Sequence, residues 1–364
     1  MSETPFLSGY RVLDLSQYIP GPYAARSLSD LGADTIKLEP PGGDPMRRLT
    51  PGYADEPLSP LYRHLNRGKT IACLDLKSPE GQEILKELLV TADVLVESYR
   101  PGVLARLGFD RERILLLNPA LVHCAISGFG QTGPYRERAG HDLTYCAVSG
   151  ALSASGTRRR PVMTFPPIAD HAGALQAVNT ILAALLARTH TGRGCYLDIS
   201  LSESLLAWQY PALFEARQGT DPERESLLLN GGAACYQIYT TADQRFVALA
   251  ALEEKFWRRF CEAVDRREWI DRQFEELPQN ELIEDLQQLF GRKSLREWVG
   301  LLGSVDCCFE PIPLVSEVTA HPQVRERAVI AGFQPRYPAW INGQPAKHTD
   351  EIVLLGQGHR PAWR

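Results

Sequence analysis

The 364-residue chain has no excess of positive charge: 39 basic residues stand against 44 acidic ones, a formal charge of −5. A broadly basic face for nucleic acid is therefore not expected, whereas a local anion site is compatible with this balance. Long apolar runs are also missing. The longest, over residues 181–186, is too short to cross a bilayer, so no membrane partner is expected. The opening MSETPFLSGYR lacks a basic stretch followed by an apolar one, which argues against a signal peptide. Eight cysteines are scattered, with Cys307 and Cys308 adjacent and no CxxC pair. They read as reduced thiols of a soluble, cytoplasmic protein rather than as metal ligands. GxxxxGK[ST], HExxH and GxSxG are absent, so neither an ATP site, a zinc hydrolase nor an ordinary serine hydrolase is expected. The chain is expected to work without a metal or redox cofactor, dinucleotides included.

What is present is a rhythm. Short branched apolar runs at residues 11–15, 33–38, 70–76, 92–97 and 121–127 read as strands. Helical patterns at 23–31, 79–89 and 102–107 alternate with them, punctuated by glycine and proline. This spacing predicts βαβ units around a largely parallel sheet, a Rossmann-like α/β domain. Beyond residue 130 the pattern predicts a long helix over 173–188, with Asp170 where an N-cap would stand, a strand over 194–199 and a helix over 201–214. Paired strands at 235–239 and 246–249, then helices at 255–264 and 281–289, predict a smaller α+β domain. The expected organisation is a large domain of residues 1–200 and 340–364, linkers at 201–228 and 321–339, and a small domain at 229–320.

Three side chains suit acid–base chemistry. His141, in Gly140-His141-Asp142, precedes a helical run, where the positive end of the helix dipole favours a neutral, base-competent ring. The competing reading is a structural histidine. Asp170 is either a helix cap or a carboxylate held as base or nucleophile. Glu253 follows a strand and either orients a histidine or merely sits at a helix N-terminus. Arg100, before Pro101-Gly102, occupies a strand-to-helix corner suited to anions. Lys37, Arg47, Arg67, Lys69 and Arg138 lie in loops or near strand ends, where sites on open sheets form, and join Arg100 as candidates for holding a phosphorylated ligand, while backbone N–H groups near Asp142 are candidates for binding a ligand oxygen.

Several stretches then stand in a telling order. They are Leu13-Asp14-Leu15-Ser16 with Gly21-Pro22, residues 31–37 (LGADTIK), Asp75-Leu76-Lys77 and Tyr99-Arg100-Pro101-Gly102. Residues 127–134 (SGFGQTGP), Gly192-Arg193-Gly194, Gly231-Gly232-Ala233 and Cys307-Cys308 with Pro311 complete the set. In this order the chain resembles the family III CoA-transferases, which include the alpha-methylacyl-CoA racemases. The resemblance implies the fold of that family, an interlocked homodimer, and an acyl-CoA substrate whose coenzyme A is part of the substrate. It implies a reactive aspartate at Asp170, which in the transferases forms an aspartyl-CoA thioester. In the racemases the matching aspartate works with the histidine of a Gly-His-Asp segment, here His141, supported by a glutamate matching Glu253. The chain departs from the racemase pattern at Ala169-Asp170-His171-Ala172-Gly173, at Asn230 and at Glu254. Filling all three racemase positions favours racemisation of a 2-substituted acyl-CoA by two-base proton transfer. CoA transfer through Asp170, and non-catalytic acyl-CoA binding, are the alternatives.

Overall fold

The computed structural model describes residues 5–49, 58–219, 221–332, 334–356 and 358–364. The chain divides into two units. The first comprises Met1–Ser149, Thr164–Trp208 and Arg325–Arg364; the second comprises Gly150–Met163 and Gln209–Val324.

In the first unit the branched apolar runs become strands β1 (Arg11–Asp14), β2 (Asp34–Glu39), β3 (Thr70–Cys73), β4 (Val94–Glu97), β5 (Val122–Ser127) and β6 (Cys195–Ser200). They form a seven-stranded sheet in the order Val353–Leu354, β3, β2, β1, β4, β5, β6, every neighbouring pair parallel. Leu13 lies opposite Ile36 on one side and Leu95 on the other. These side chains, with Leu38, pack against Ile84, Leu85, Leu88 and Leu89 of the Pro79–Thr91 helix. Both faces of the central strands are covered, which is why they read as continuous rather than alternating apolar runs. From β1 the chain winds one way to β2 and β3, and the other way through β4, β5 and β6. The order therefore reverses between β1 and β4, and open α/β sheets bind ligands outside the carboxyl ends at such a point.

Four helices of this unit matter to the site: α1 (Pro20–Asp30), α2 (Asp142–Val148), α3 (Ile168–Thr191) and α4 (Leu201–Leu206). Helix α1 starts tight against the loop after β1, where a Cβ on Gly21 would sit 2.1 Å from the Ser16 Cβ, so only glycine fits. Helix α3 begins five residues before the expected 173, at residue 168 after Pro167, so Asp170 lies in its first turn and is not its N-cap. The expected helix over 201–214 is two helices, α4 and Tyr210–Arg217. Pro211 explains the break, because it lacks an N–H and its ring would clash with the preceding turn of a continuous helix. Residues 128–133 (GFGQTG), within the 127–134 stretch quoted above, also have the glycine spacing of a dinucleotide fingerprint and follow β5. They lead into bends and turns up to His141 rather than opening a helix, so the phosphate cradle of that motif does not form.

The second unit holds a three-stranded antiparallel sheet with Phe246–Ala250 between Tyr236–Thr240 and Phe309–Pro311. Helices Glu254–Ala263, Asn280–Phe290 and Leu295–Leu302 bury Trp257, Phe260, Phe290 and Trp298 beside Tyr239. Both buried indoles are satisfied: the Trp257 N–H donates to the Trp269 carbonyl and the Trp298 N–H to the Phe290 carbonyl, each at 2.9 Å. Among the described residues no helix is long and apolar enough to cross a membrane.

Candidate active site

A cavity of about 500 Å³ opens in the first unit at the reversal of strand order. Gln17 and Tyr18 line it from the loop after β1, Ser98, Tyr99, Arg100 and Pro101 from the loop after β4, and Gly128 and Phe129 from the loop after β5. Arg136, Arg138, Gly140, His141 and Tyr145 complete one wall, and Asp170 another. Thus His141 and Asp170, from two different helices, face one cavity together with Arg100 and Arg138.

His141 is the N-cap of α2, and its backbone is pinned: its N–H donates to Thr144 Oγ1 at 3.0 Å, while its carbonyl accepts from the Thr144 hydroxyl at 2.7 Å. The imidazole lies edge-on to Tyr18 at 5.9 Å between centroids. Gly140 is required immediately before it. A Cβ there would come within 2.6 Å of the Tyr145 ring, whose hydroxyl donates to the Gly140 carbonyl at 2.6 Å. His171, by contrast, is engaged structurally, its Nδ1 at 2.5 Å from the Pro167 carbonyl and its ring against Tyr23.

Burial, reinforced by the neighbouring Asp142 carboxylate, raises the Asp170 carboxyl from its ordinary value to about 7. Both protonation states are therefore populated near neutrality, as a group that accepts a proton in one direction and donates it in the other requires. Asp142 itself does not open into this cavity. Its Oδ1 accepts from the backbone N–H groups of Ala169, at 2.7 Å, and Asp170, at 3.0 Å. The Asp142 side chain thus caps the start of α3, while its backbone N–H, the group expected near a ligand oxygen, stays at the start of α2.

The other expected anion ligands separate sharply. Lys37 and Lys69 are wholly buried. Lys69 Nζ lies 2.8 Å from Asp14 Oδ2, and Lys37 Nζ lies 3.2 Å from Asp44 Oδ2. Arg67, equally buried, pairs with Asp30 at 2.9 Å and donates to His348 Nδ1 at 2.7 Å. Arg47 is half-buried and bound to Glu39 at 2.7 Å. None of these four lines the cavity; each charge is instead paired with a carboxylate, close in sequence for Lys37 and Arg47 and 37 and 55 residues away for Arg67 and Lys69. Arg100 and Arg138 remain exposed at the cavity, joined by Arg136, which sequence reasoning passed over.

Tyr18, Tyr99 and Tyr145 were also missed. Only Tyr99 carried a signal, as part of Tyr99-Arg100-Pro101-Gly102. Beneath that loop Glu97 accepts from the Tyr99 N–H at 2.7 Å. Burial raises its carboxyl to about 7 and lowers the His123 ring, 3.9 Å away, to about 4. Between those values both are neutral, so their approach is not an ion pair there. Glu253 belongs to the second unit, where it is the exposed N-cap of Glu254–Ala263.

The model of CoA-transferase family III matches residues 7–352. Alpha-methylacyl-CoA racemase of Homo sapiens is 33% identical, covering 95% of this chain and 92% of its own. Succinyl-CoA:glutarate CoA-transferase of Homo sapiens is 32% identical over 89% of this chain and 75% of its own. The crystal structure of a CaiB/BaiF family protein from Brucella suis superposes with a TM-score of 0.82 at 28% identity, covering 95% of each chain.

Proposed function

The chain belongs to CoA-transferase family III, and from that premise we propose that it epimerises a 2-substituted acyl-CoA by two-base proton transfer through an enolate. The observation that carries this reading is the pair His141 and Asp170 lining one cavity from separate helices. A thioester carbonyl acidifies the adjacent C–H, yet that proton remains far less acidic than either side-chain acid. Removal therefore needs a base at hydrogen-bonding distance and donors where the enolate oxygen develops. One group takes the α proton while the other, protonated, returns a proton to the opposite face; the reverse reaction exchanges their roles. The backbone N–H groups of Asp142 and Leu143, which precede the first bonds of α2 from Thr144 and Tyr145 to the His141 carbonyl, are assigned as donors for the oxygen. Arg100, Arg136 and Arg138 hold the phosphates. A second cavity of about 460 Å³ shares Tyr99 and Val103 with the first and extends along residues 38–41 and 74–77, giving the nucleotide end of CoA a place.

The transferase relative favours a second reading, in which an Asp170 oxygen attacks the acyl-CoA carbonyl and expels CoA thiolate, and the thiolate then attacks the aspartyl carbonyl of the mixed anhydride, expelling the first acid as its carboxylate and leaving an aspartyl-CoA thioester. We also infer an interlocked homodimer. The Tyr210–Arg217 helix supports association, having no buried residue and exposing Tyr210, Leu213 and Phe214.

The test is incubation with a single enantiomer of a 2-methylacyl-CoA in deuterated water, without a carboxylate acceptor. Deuterium at the α carbon with loss of stereochemical purity is expected. CoA passing to an added carboxylic acid, with hydroxylamine trapping at Asp170, would replace racemisation with transfer; tight binding without turnover would reduce the protein to a carrier.

A further inference from the structure

Asp142 follows His141 directly and lies 28 residues before Asp170, yet it joins the two. We propose that the Asp142 carboxylate is a positioning residue that clamps the start of α3 to the start of α2 and so fixes the distance between the imidazole and the Asp170 carboxyl. The inference rests on the racemase reading and deepens it.

The first N–H groups of a helix need outside acceptors, normally from an N-cap side chain. Pro167, the N-cap of α3, has none to offer. Asp142 Oδ1 fills that role from another helix, accepting from Ala169 at 2.7 Å and Asp170 at 3.0 Å. Asp142 is also the first residue of α2, so its main chain cannot shift without carrying the His141 ring with it. Oδ2 faces the Cys146 thiol one turn further along at 3.6 Å, which steadies the carboxylate's own rotamer. Two bases acting across one carbon need a fixed separation, and a misplacement of about 1 Å costs on the order of 100-fold in rate.

The clamp is charged as well as geometric. Burial first, and then repulsion from Asp142, keep Asp170 protonated to higher pH. The other titratable or charged groups on elements around Asp170 include Tyr145 and Cys146 on α2, Tyr23 and Arg26 on α1, Glu203 on α4, Tyr18 and Tyr99 after β1 and β4, the cavity arginines with His141, and His171 on α3 itself, hydrogen-bonded to Pro167. Asparagine at 142 keeps the acceptor oxygen and removes the charge, whereas alanine removes both.

The α-proton exchange rate and a 13C titration of the Asp170 carboxyl are therefore to be compared in wild type, Asp142→Asn and Asp142→Ala. In Asp142→Asn the Asp170 titration and the matching limb of the pH–rate profile move to lower pH. In Asp142→Ala kcat falls by roughly 10–100-fold with KM nearly constant. An unmoved Asp170 titration in Asp142→Asn, or exchange within twofold of wild type in a folded Asp142→Ala, would overturn the clamp. If wild type exchanges no α proton, the racemase reading fails, and the titration alone still decides the link between Asp142 and Asp170.

Discussion

Asp14 and Asp170 belong to the same unit, both sit largely out of water, and they ionise in opposite senses. Burial pushes Asp14 up, but Lys37 and Lys69 outweigh it and hold its carboxyl below the ordinary aspartate value. Asp170 meets burial and then a second carboxylate, and rises to about 7. Burial is common to both, so the partner decides. One region neutralises its charges at the end of β1 and becomes scaffold. The other leaves an aspartate, a histidine and three arginines around open space, an arrangement that stores reactivity rather than stability.

The comparison breaks most visibly on the scaffold side. Lys69→Met removes the ammonium 2.8 Å from Asp14 and strands a buried carboxylate. A loss of about 3–5 kcal/mol in urea unfolding is expected, with the activity of the remaining folded fraction unchanged. On the cavity side the pattern reverses. Arg100→Ala should leave the melting temperature within a degree or two of wild type while raising KM for acyl-CoA roughly 10–100-fold, the weight of one charge-assisted hydrogen bond. A large stability loss there would place Arg100 with the scaffold.

Glu97 sharpens the comparison with a smaller effect. Its folded carboxyl titrates near 7 against an ordinary 4.5, so the native state holds its proton longer than the unfolded chain. Its contribution to stability is complete below about pH 4.5 and is lost as pH rises through 7. Glu97→Gln keeps an oxygen for the Tyr99 N–H and removes this loss. The variant should match wild type near pH 4 and exceed it by roughly 1–3 kcal/mol at pH 8, measured by thermal or urea unfolding at both values. Because Asp170 titrates in both proteins, the difference isolates Glu97.

The parallel sheet was legible because its determinants are local. The runs at 11–15 and 33–38 are branched, apolar and bounded by glycine or proline, and they paired as β1 and β2. The small unit's hairpin was legible for the same reason, its strands pairing Phe246 with Thr240. His141 and Asp170 stood out by residue type and neighbours, and they share a cavity. What escaped the sequence was set by distant partners. Lys69 and Arg100 are both cations beside strands, and only a contact 55 residues away, to Asp14, turns Lys69 inward. The start of α3 was misplaced because its cap comes from Asp142 and not from the preceding residues. The membership of residues 150–163 in the second unit had no local signal.

The central claim is that His141 and Asp170 act on opposite faces of one α carbon. It is tested most directly by single-turnover α-deuterium exchange on each enantiomer separately, using His141→Gln and Asp170→Asn. Each variant should still wash the α proton out of the one enantiomer served by its surviving base, the two variants having opposite preferences, while neither interconverts the enantiomers. If both variants exchanged the same enantiomer, or either still racemised at the wild-type rate, the two groups would not form the opposed pair described here.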